Sequence, residues 1–323
     1  MKICLLHRYQ ANQIKETNAA FPYLAKKGID VLTFKKFNRL SNLRKFFKSV
    51  LWIFYAPLLV IGKKYDVIYC DDSYPFYPFF VKLVSPKSNV IIRLGDLHLM
   101  YYYKGWLYRF LHFFEVIEWE VVDKIIAISQ PMAKYVMKES GRWVDVVLDP
   151  VDPKDFELKG VCSKNVMFHG VLTKNKNVDL IISAAKRLPN VGFLILGDGP
   201  DRKRLESHAP NNVVFKGWVP FVEVKKYIAH CGVGLSLRSD NPGNQYVVTS
   251  PFLQYGVMGK PCLVTRRKVF GDYEWQFNGV NEMVEKIKIL LKHPEEGKKL
   301  RRCVLKNHNA EDIANEIYGI LNN

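Results

Sequence analysis

Residues 168–179 have the side-chain types that hold a phosphate: Phe168-His169-Gly170-Val171-Leu172-Thr173-Lys174-Asn175-Lys176-Asn177-Val178-Asp179. A strand ending in Gly170 lets a ligand approach the backbone, and Lys176 supplies a point charge. A helix expected to open near Asn177 offers free N–H groups. Together these read as a diphosphate cradle, though the run alone also fits a polar strand-to-helix loop. Three glycine-bearing runs follow it: Leu196-Gly197-Asp198-Gly199-Pro200, Phe215-Lys216-Gly217-Trp218-Val219-Pro220 and Gly259-Lys260-Pro261-Cys262-Leu263-Val264. Each is expected to bring glycine to the sheet edge where an open α/β sheet binds ligands. Four such runs, in order and at similar intervals, are a specific signal.

The elements that must position these runs are legible as alternating strands and helices. In the first half, strands are expected at Lys2–His7, Asp30–Phe34, Asp66–Cys70, Val90–Leu94, Lys124–Ile128 and Val144–Leu148. Helices are expected at Thr17–Lys27, Leu43–Ile61, Trp106–Val122 and Pro131–Glu139. The run Asp149-Pro150-Val151-Asp152-Pro153-Lys154-Asp155 breaks the rhythm and reads as a linker. Beyond it, strands are expected at Asn165–His169, Gly192–Leu196, Val213–Lys216, Gly232–Leu237 and Pro261–Thr265. Helices alternate with them at Val178–Arg187, Arg202–Ser207, Val222–His230 and near Phe252–Met258. Two more, at Val280–Lys292 and Glu311–Leu321, close the chain. Short apolar strands separated by helices predict α/β halves, each with a parallel sheet covered on both faces.

Several enzyme classes lack their signatures. The first strand runs into Arg8-Tyr9-Gln10-Ala11-Asn12-Gln13, with no GxGxxG turn for a dinucleotide, and neither a GxxxxGK[ST] loop nor a GxSxG elbow occurs. The composition, 48% hydrophobic and 24% charged over 323 residues, excludes a disordered or disulfide-stapled chain. Six scattered cysteines without a CxxC pair read as free buried thiols of a reducing compartment. The most apolar stretch, Val50 to Ile61, is too short to cross a bilayer. The net charge of +17 points to anionic partners. It divides evenly, with 22 basic and 13 acidic side chains in residues 1–149 and 26 and 18 in the remainder. From Val31 to Tyr65 no residue is acidic, while Lys35, Lys36, Arg39, Arg44, Lys45 and Lys48 interleave with Phe34, Phe37, Phe46, Phe47, Trp52 and Phe54. With the aromatic run at 100–110, this is the pattern of a segment lying on an anionic membrane surface; a core helix with a solvated basic side is the alternative.

Taken together, the chain resembles the GT-B glycosyltransferases, above all the retaining family 4. That family's second domain reads G-R-L-x-x-x-K-G, G-x-G-P, F-x-G-x-V and then E-A-M-A or E-Y-M-A before x-G-x-P-V. In the first half, Tyr65-Asp66-Val67-Ile68-Tyr69, Asp123-Lys124-Ile125-Ile126-Ala127-Ile128-Ser129 and Asp149-Pro150-Val151-Asp152 to Phe156 look like the family's corresponding strands and hinge. The resemblance implies two Rossmann-like doubly wound domains facing a cleft. Residues 1–149 would bind the acceptor, 150–308 would bind the nucleotide sugar, and 309–323 would form a helix crossing back to the first domain.

It further implies transfer of a hexosyl group from a nucleotide-diphosphate sugar, with retention and with neither cofactor nor metal. The acceptor would be lipid-linked or a glycan, at the inner face of the cell membrane, and no nucleic-acid partner is expected. By position, Gly170, Val171, Lys176, Gly197, Trp218, Val219, Arg238 and Gln254 would contact the donor, with Asp96 and His98 as catalytic candidates. Three departures stand out. Val171 replaces the family's arginine, for which Arg238, Arg266 or Arg267 could substitute. The family's paired glutamates fall at Tyr246 and Gln254, and no acidic residue occurs from Asn241 to Gly271. Gly95 stands where the family's histidine is commonest. A nucleotide-sugar-binding protein with altered or lost transfer therefore stays open beside the transferase. So do a sugar-nucleotide epimerase and, on charge alone, a nucleic-acid-binding protein.

Overall fold

The computed structural model describes residues 1–7, 18–33, 42–71, 74–156 and 163–323, without the side chains of 42–49. The Gln10–Gln13 segment, the basic and aromatic residues of 34–41, and Cys162 lie outside the described residues. So do the side chains of Arg44, Lys45, Phe46, Phe47 and Lys48. The chain divides into two compact units, Met1–Pro150 with Ala310–Asn323, and Val151–Asn309.

Six short strands build the first unit: β1 (Ile3–His7), β2 (Asp30–Thr33), β3 (Val67–Cys70), β4 (Asn89–Leu94), β5 (Lys124–Ala127) and β6 (Asp145–Val146). They pair in parallel in the order β2-β1-β3-β4-β5-β6. Every residue of β1 and of β3 is buried, as expected of parallel strands covered on both faces. The connecting helices are α1 (Phe21–Ala25), α2 (Asn42–Leu58), α3 (Tyr77–Val84), α4 (His98–Tyr102), α5 (Gly105–Val121) and α6 (Gln130–Ser140). Local chemistry fixes the ends of α6: Ser129 accepts the N–H of Met132, Pro131 sits in the first turn, and Gly141 closes it at φ +68°.

The second unit repeats the plan with β7 (Val166–His169), β8 (Phe193–Leu196), β9 (Val213–Gly217), β10 (Val233–Ser236), β11 (Cys262–Thr265) and β12 (Gln276–Phe277). These pair in parallel in the order β12-β11-β10-β7-β8-β9. Its helices are α7 (Asp179–Arg187), α8 (Arg202–His208), α9 (Phe221–Ala229), α10 (Ser250–Val257), α11 (Gly279–Leu290) and α12 (Glu295–Asn307). A last helix, α13 (Ala310–Asn322), joins the first unit. Its Ile313, Ala314, Ile317 and Leu321 pack in one core with Leu5, Leu24 and Val67.

The sequence reading missed α3, α4, α12 and β12. Two prolines hide α3, yet Pro78 sits in its first turn, where a missing N–H costs nothing. In α12 the polar run Glu295-Glu296-Gly297-Lys298-Lys299 masks a thin apolar stripe at Leu300 and Val304. The helix expected at Thr17–Lys27 is only the short α1. Asn18, which accepts the N–H of Ala20 and donates to Asp71, holds the chain in a turn before it. Of the described cysteines, Cys4, Cys70, Cys231 and Cys262 are buried thiols outside any disulfide, whereas the Cys303 thiol is exposed.

In the first unit α5 turns Glu115, Glu118 and Trp119 inward. The Glu118 carboxylate accepts the N–H of Phe79 at the start of α3. Burial pushes its pKa up to about 8 despite that bond, and the charge of Glu115 adds to the rise. A carboxyl that binds its proton more tightly when folded stabilises the fold fully below its unfolded value near 4.5. That contribution is lost as pH rises toward about 8. The variant Glu118→Gln, measured by urea unfolding, is therefore expected to lose much of the fall in stability between about pH 5 and 8, a slope of up to ~1.4 kcal/mol per pH unit.

Candidate functional site

In the second sheet the connections run one way from β7 through β8 to β9, and the chain then resumes at β10 on the other side of β7. Loops leaving the carboxyl ends of β7 and β10 therefore diverge, leaving a crevice where an open α/β sheet takes its ligand. Residues 170–177 follow β7, 197–201 follow β8, 217–220 follow β9 and 237–246 follow β10, so all of these loops share that edge.

Main chain packs on main chain among the first three. The Gly170 N–H donates to the Leu196 carbonyl, that of Leu172 to Asp198, and that of Gly197 to Gly217 at 2.7 Å. A Cβ on Gly197 would stand 2.0 Å from the Gly170 carbonyl oxygen, and one on Gly199 would stand 2.3 Å from that of Leu172. Gly170 has φ +148° and Gly197 φ +130°. The glycines thus let neighbouring strand ends close on one another, not only on a ligand. The fourth run departs from expectation. Gly259 precedes β11 and lies at the amino edge, where a Cβ on Gly297 of α12 would stand 2.0 Å from its carbonyl oxygen. Lys260 is buried there, donating to the Ala229 carbonyl at 2.7 Å. That pair is structural.

After Gly170 the chain does not open a helix at Asn177. Lys174–Lys176 form one 3-10 turn, Asn177 takes φ +51°, and α7 starts at Asp179. Asp179 is an acid in the first turn of α7, held below its usual range by hydrogen bonding to Arg204 at 2.6 Å. An anion at that helix end would meet a carboxylate. The turn carrying Lys176 is fastened across the crevice through Asn175. Its Oδ1 accepts from Ser239 Oγ at 2.7 Å and Asn244 Nδ2 at 2.8 Å, and its carbonyl accepts the Ser239 N–H.

The start of α10 meets the same edge. No acidic residue lies in its first turn and no side chain caps it. Thr249, at its N-cap, spends its hydroxyl on Ser236. Of the three arginines named as substitutes for Val171, the structure leaves one. Arg267 is buried, donates to the Val247 carbonyl at 2.7 Å, and lies over the Phe270 ring. Arg266 is exposed and faces Glu282. Arg238 stands at the end of β10, where its N–H is anchored on Thr265 and its Nε is buried with no hydrogen-bond partner among the described residues.

The same holds for the buried atoms His169 Nε2, Asn244 Oδ1 and Gln254 Oε1. His169 ends β7, immediately before Gly170. Its ring packs edge-on against Tyr255 at 5.2 Å, and burial, with the nearby Lys176 charge, lowers its pKa to about 3. The imidazole is neutral at pH 7. Around these groups, Val171 and Trp218 are exposed at the ends of β7 and β9, and Val219 packs on the core beneath α10. Among the described residues no group of three histidine, cysteine or acidic side chains is placed to hold a metal. A cavity of about 280 Å³ lined by Asn165, Lys226, Tyr227 and His230 lies toward the amino end of β7, away from this edge.

In the first unit, Asp96 and His98 follow the carboxyl end of β4. Asp96 accepts from Tyr101 at 3.3 Å, and the His98 ring lies between those of Tyr74 and Tyr102. Next to them is a buried group the sequence reading did not single out. Arg93 bonds Asp149 at 2.6 Å and faces Asp71 at 3.5 Å. Asp71 also accepts from Asn18 and Tyr69. Burial opposes the Arg93 charge, but the two aspartates hold its pKa above the ordinary value. Nothing in the spacing of Asp71, Arg93 and Asp149 marks them as partners; only the strand order brings them together.

Residues 176–319 match a family model described as glycosyl transferase-like. Comparison with curated proteins finds no match. Among solved structures, HepE of Anabaena, in complex with UDP and glucose, is similar with a TM-score of 0.73 at 15% identity, over 100% of this chain and 99% of that one. Sucrose-phosphate synthase from Thermosynechococcus elongatus gives 0.78 at 13% identity, over 99% and 98%. The lipopolysaccharide outer core galactosyltransferase WaaB, in its apo form, gives 0.69 at 14% identity, over 99% of each chain.

Two substitutions test the local account. Gly197→Ala, which must move the Gly170 carbonyl and hold a strained φ, is expected to cost on the order of 3 kcal/mol in urea unfolding. Arg267→Gln, which removes charged hydrogen bonds from the 244–247 carbonyls, should cost about 2 kcal/mol by the same measurement.

Proposed function

Given the GT-B glycosyltransferase fold along the whole chain, we propose that this protein is a glycosyltransferase moving a hexosyl group from a nucleotide-diphosphate sugar. The second unit holds the donor and the first holds the acceptor. The observation that carries this reading is the carboxyl edge at β7 and β10, which is shared by the turn of Lys176, the loop of Arg238 and the uncapped start of α10, with no acidic residue from 241 to 271. As the sugar–phosphate bond breaks, negative charge grows on the leaving diphosphate. Lys176, Arg238 and the α10 N–H groups stabilise it without help from a metal. Gln254 and His169 offer neutral hydrogen-bonding groups to the nucleoside, Trp218 and Val219 border the base, and Gly170, Val171 and Gly197 line the diphosphate.

Transfer proceeds with retention, as in the family the sequence resembles. Asp96 and His98 stand on the acceptor side, and the acceptor is a lipid-linked or glycan molecule used in polysaccharide or glycolipid synthesis at the inner face of the cell membrane. One observation favours a second reading. Tyr246 and Gln254 occupy the positions of the family's glutamate pair, and neither is acidic. A protein that binds a nucleotide sugar without transferring it would look the same at the diphosphate.

Thermal-shift measurements with UDP-, GDP-, ADP- and CDP-sugars test the donor reading. One of them is expected to stabilise the chain by about 2.7 kcal/mol at a hundredfold excess over its Kd. Lys176→Ala should weaken that binding about tenfold. No shift with any nucleotide sinks the proposal. A shift with no sugar released or transferred favours the binding-only reading.

A further inference from the structure

Helix α5 is built inside out. Of its three carboxylates, Glu115 and Glu118 face inward at 6% and 2% exposure, and only Glu120, near its far end, is exposed. Its outward side carries Trp106, Phe110, Phe113 and Phe114 at 77%, 54%, 60% and 45% exposure. Spacings of four, three and one residues put all four on one face. A surface helix in water has the opposite arrangement, and burying two carboxylates costs stability that half a turn of rotation would avoid.

The aromatic face does not end with α5. Helix α3 packs against both α5 and α2. On α2, Phe54 and Leu58 are also exposed, and the Phe54 ring meets Phe80 of α3 at 5.9 Å. Three neighbouring helices thus present one apolar surface larger than the scattered exposed side chains of an ordinary monomer. Lys104 and Arg109, at the start of α5, and Lys63 and Lys64, beyond the end of α2, are exposed. The sequence contributes no acidic residue between Val31 and Tyr65.

We propose that the outward face of α5, with the exposed side chains of α2 and α3, is a docking surface for an anionic lipid bilayer. Aromatic side chains enter the boundary between headgroups and acyl chains, and the exposed basic side chains meet the lipid charge. Among the described residues no helix is long and apolar enough to cross a membrane, so α5, about 25 Å long, lies along the surface. Turning Glu115 and Glu118 inward keeps both carboxyl groups off the side facing the lipid. A second copy of the chain fits less well, because a two-fold interface would bring like basic side chains together. The face begins beside α4 and the carboxyl end of β4, which carry Asp96 and His98. The inference rests on the reading of a lipid-borne acceptor and gives it a surface.

Vesicle flotation of the full chain tests it, with zwitterionic vesicles and vesicles holding about 30% anionic phospholipid. Binding is expected to the anionic vesicles alone and to weaken with added salt. Phe110→Glu with Phe113→Glu should lower the bound fraction about tenfold. Lys104→Glu with Arg109→Glu should do the same while keeping every aromatic group. Since all four side chains point outward, melting temperatures should stay at the wild-type value. The thermal shift with nucleotide sugar should also persist in the variants, so failure here is distinguishable from failure of the donor reading. Absence of wild-type binding to anionic vesicles overturns the proposal, as does wild-type binding by both variants. A dimer in light scattering that Phe110→Glu with Phe113→Glu dissociates, without vesicle binding, assigns the face to a second copy and likewise overturns it.

Discussion

The candidate nucleotide edge depends on one amide. Asn175 joins the turn after β7 to the loop after β10 through three hydrogen bonds, to Ser239 Oγ, Asn244 Nδ2 and the Ser239 N–H. Lys176 rides on the first segment and Arg238 on the second. The link holds together the two backbone segments that carry them. A charge held in place before the leaving group develops its own charge costs no reorganisation at the moment of reaction, which is where electrostatic stabilisation is most effective.

Around that link several groups are neutral or engaged, although Asp198 and Asp240 stand exposed on the same loops. His169 is kept neutral by the apolar surroundings it shares with Tyr255 and by the charge of Lys176. Asp179, the nearest acid in the first turn of α7, is engaged by Arg204. Arg267 is withdrawn into the 242–247 loop, which it braces from beneath. Arg267 is thus spent on the loop while Arg238, at the end of β10, keeps a buried Nε unpartnered among the described residues, a distinction that charge and loop position do not reveal.

The alternation of strands and helices was legible in the sequence because parallel strands buried on both faces leave apolar runs of four to six residues, such as Val67–Cys70 and Cys262–Thr265. The order of those strands was not. Without it, Gly259 looked like a fourth glycine at the ligand edge, when it begins β11 and meets Gly297 instead. The Arg93, Asp71 and Asp149 group was invisible for the same reason, as its members come from three separate strand ends. The inverted face of α5 was partly legible: the aromatic run at 100–110 stood out, but whether carboxylates or rings faced outward was a matter of packing.

Hydrogen exchange of the full chain, with and without a saturating nucleotide diphosphate, tests the location of the donor site most directly. The account predicts added protection at 170–177, 238–246 and the first turn of α10, with the amino edge of the second sheet unchanged. Protection confined to the amino edge, around Asn165 and His230, or to the first unit, would contradict it.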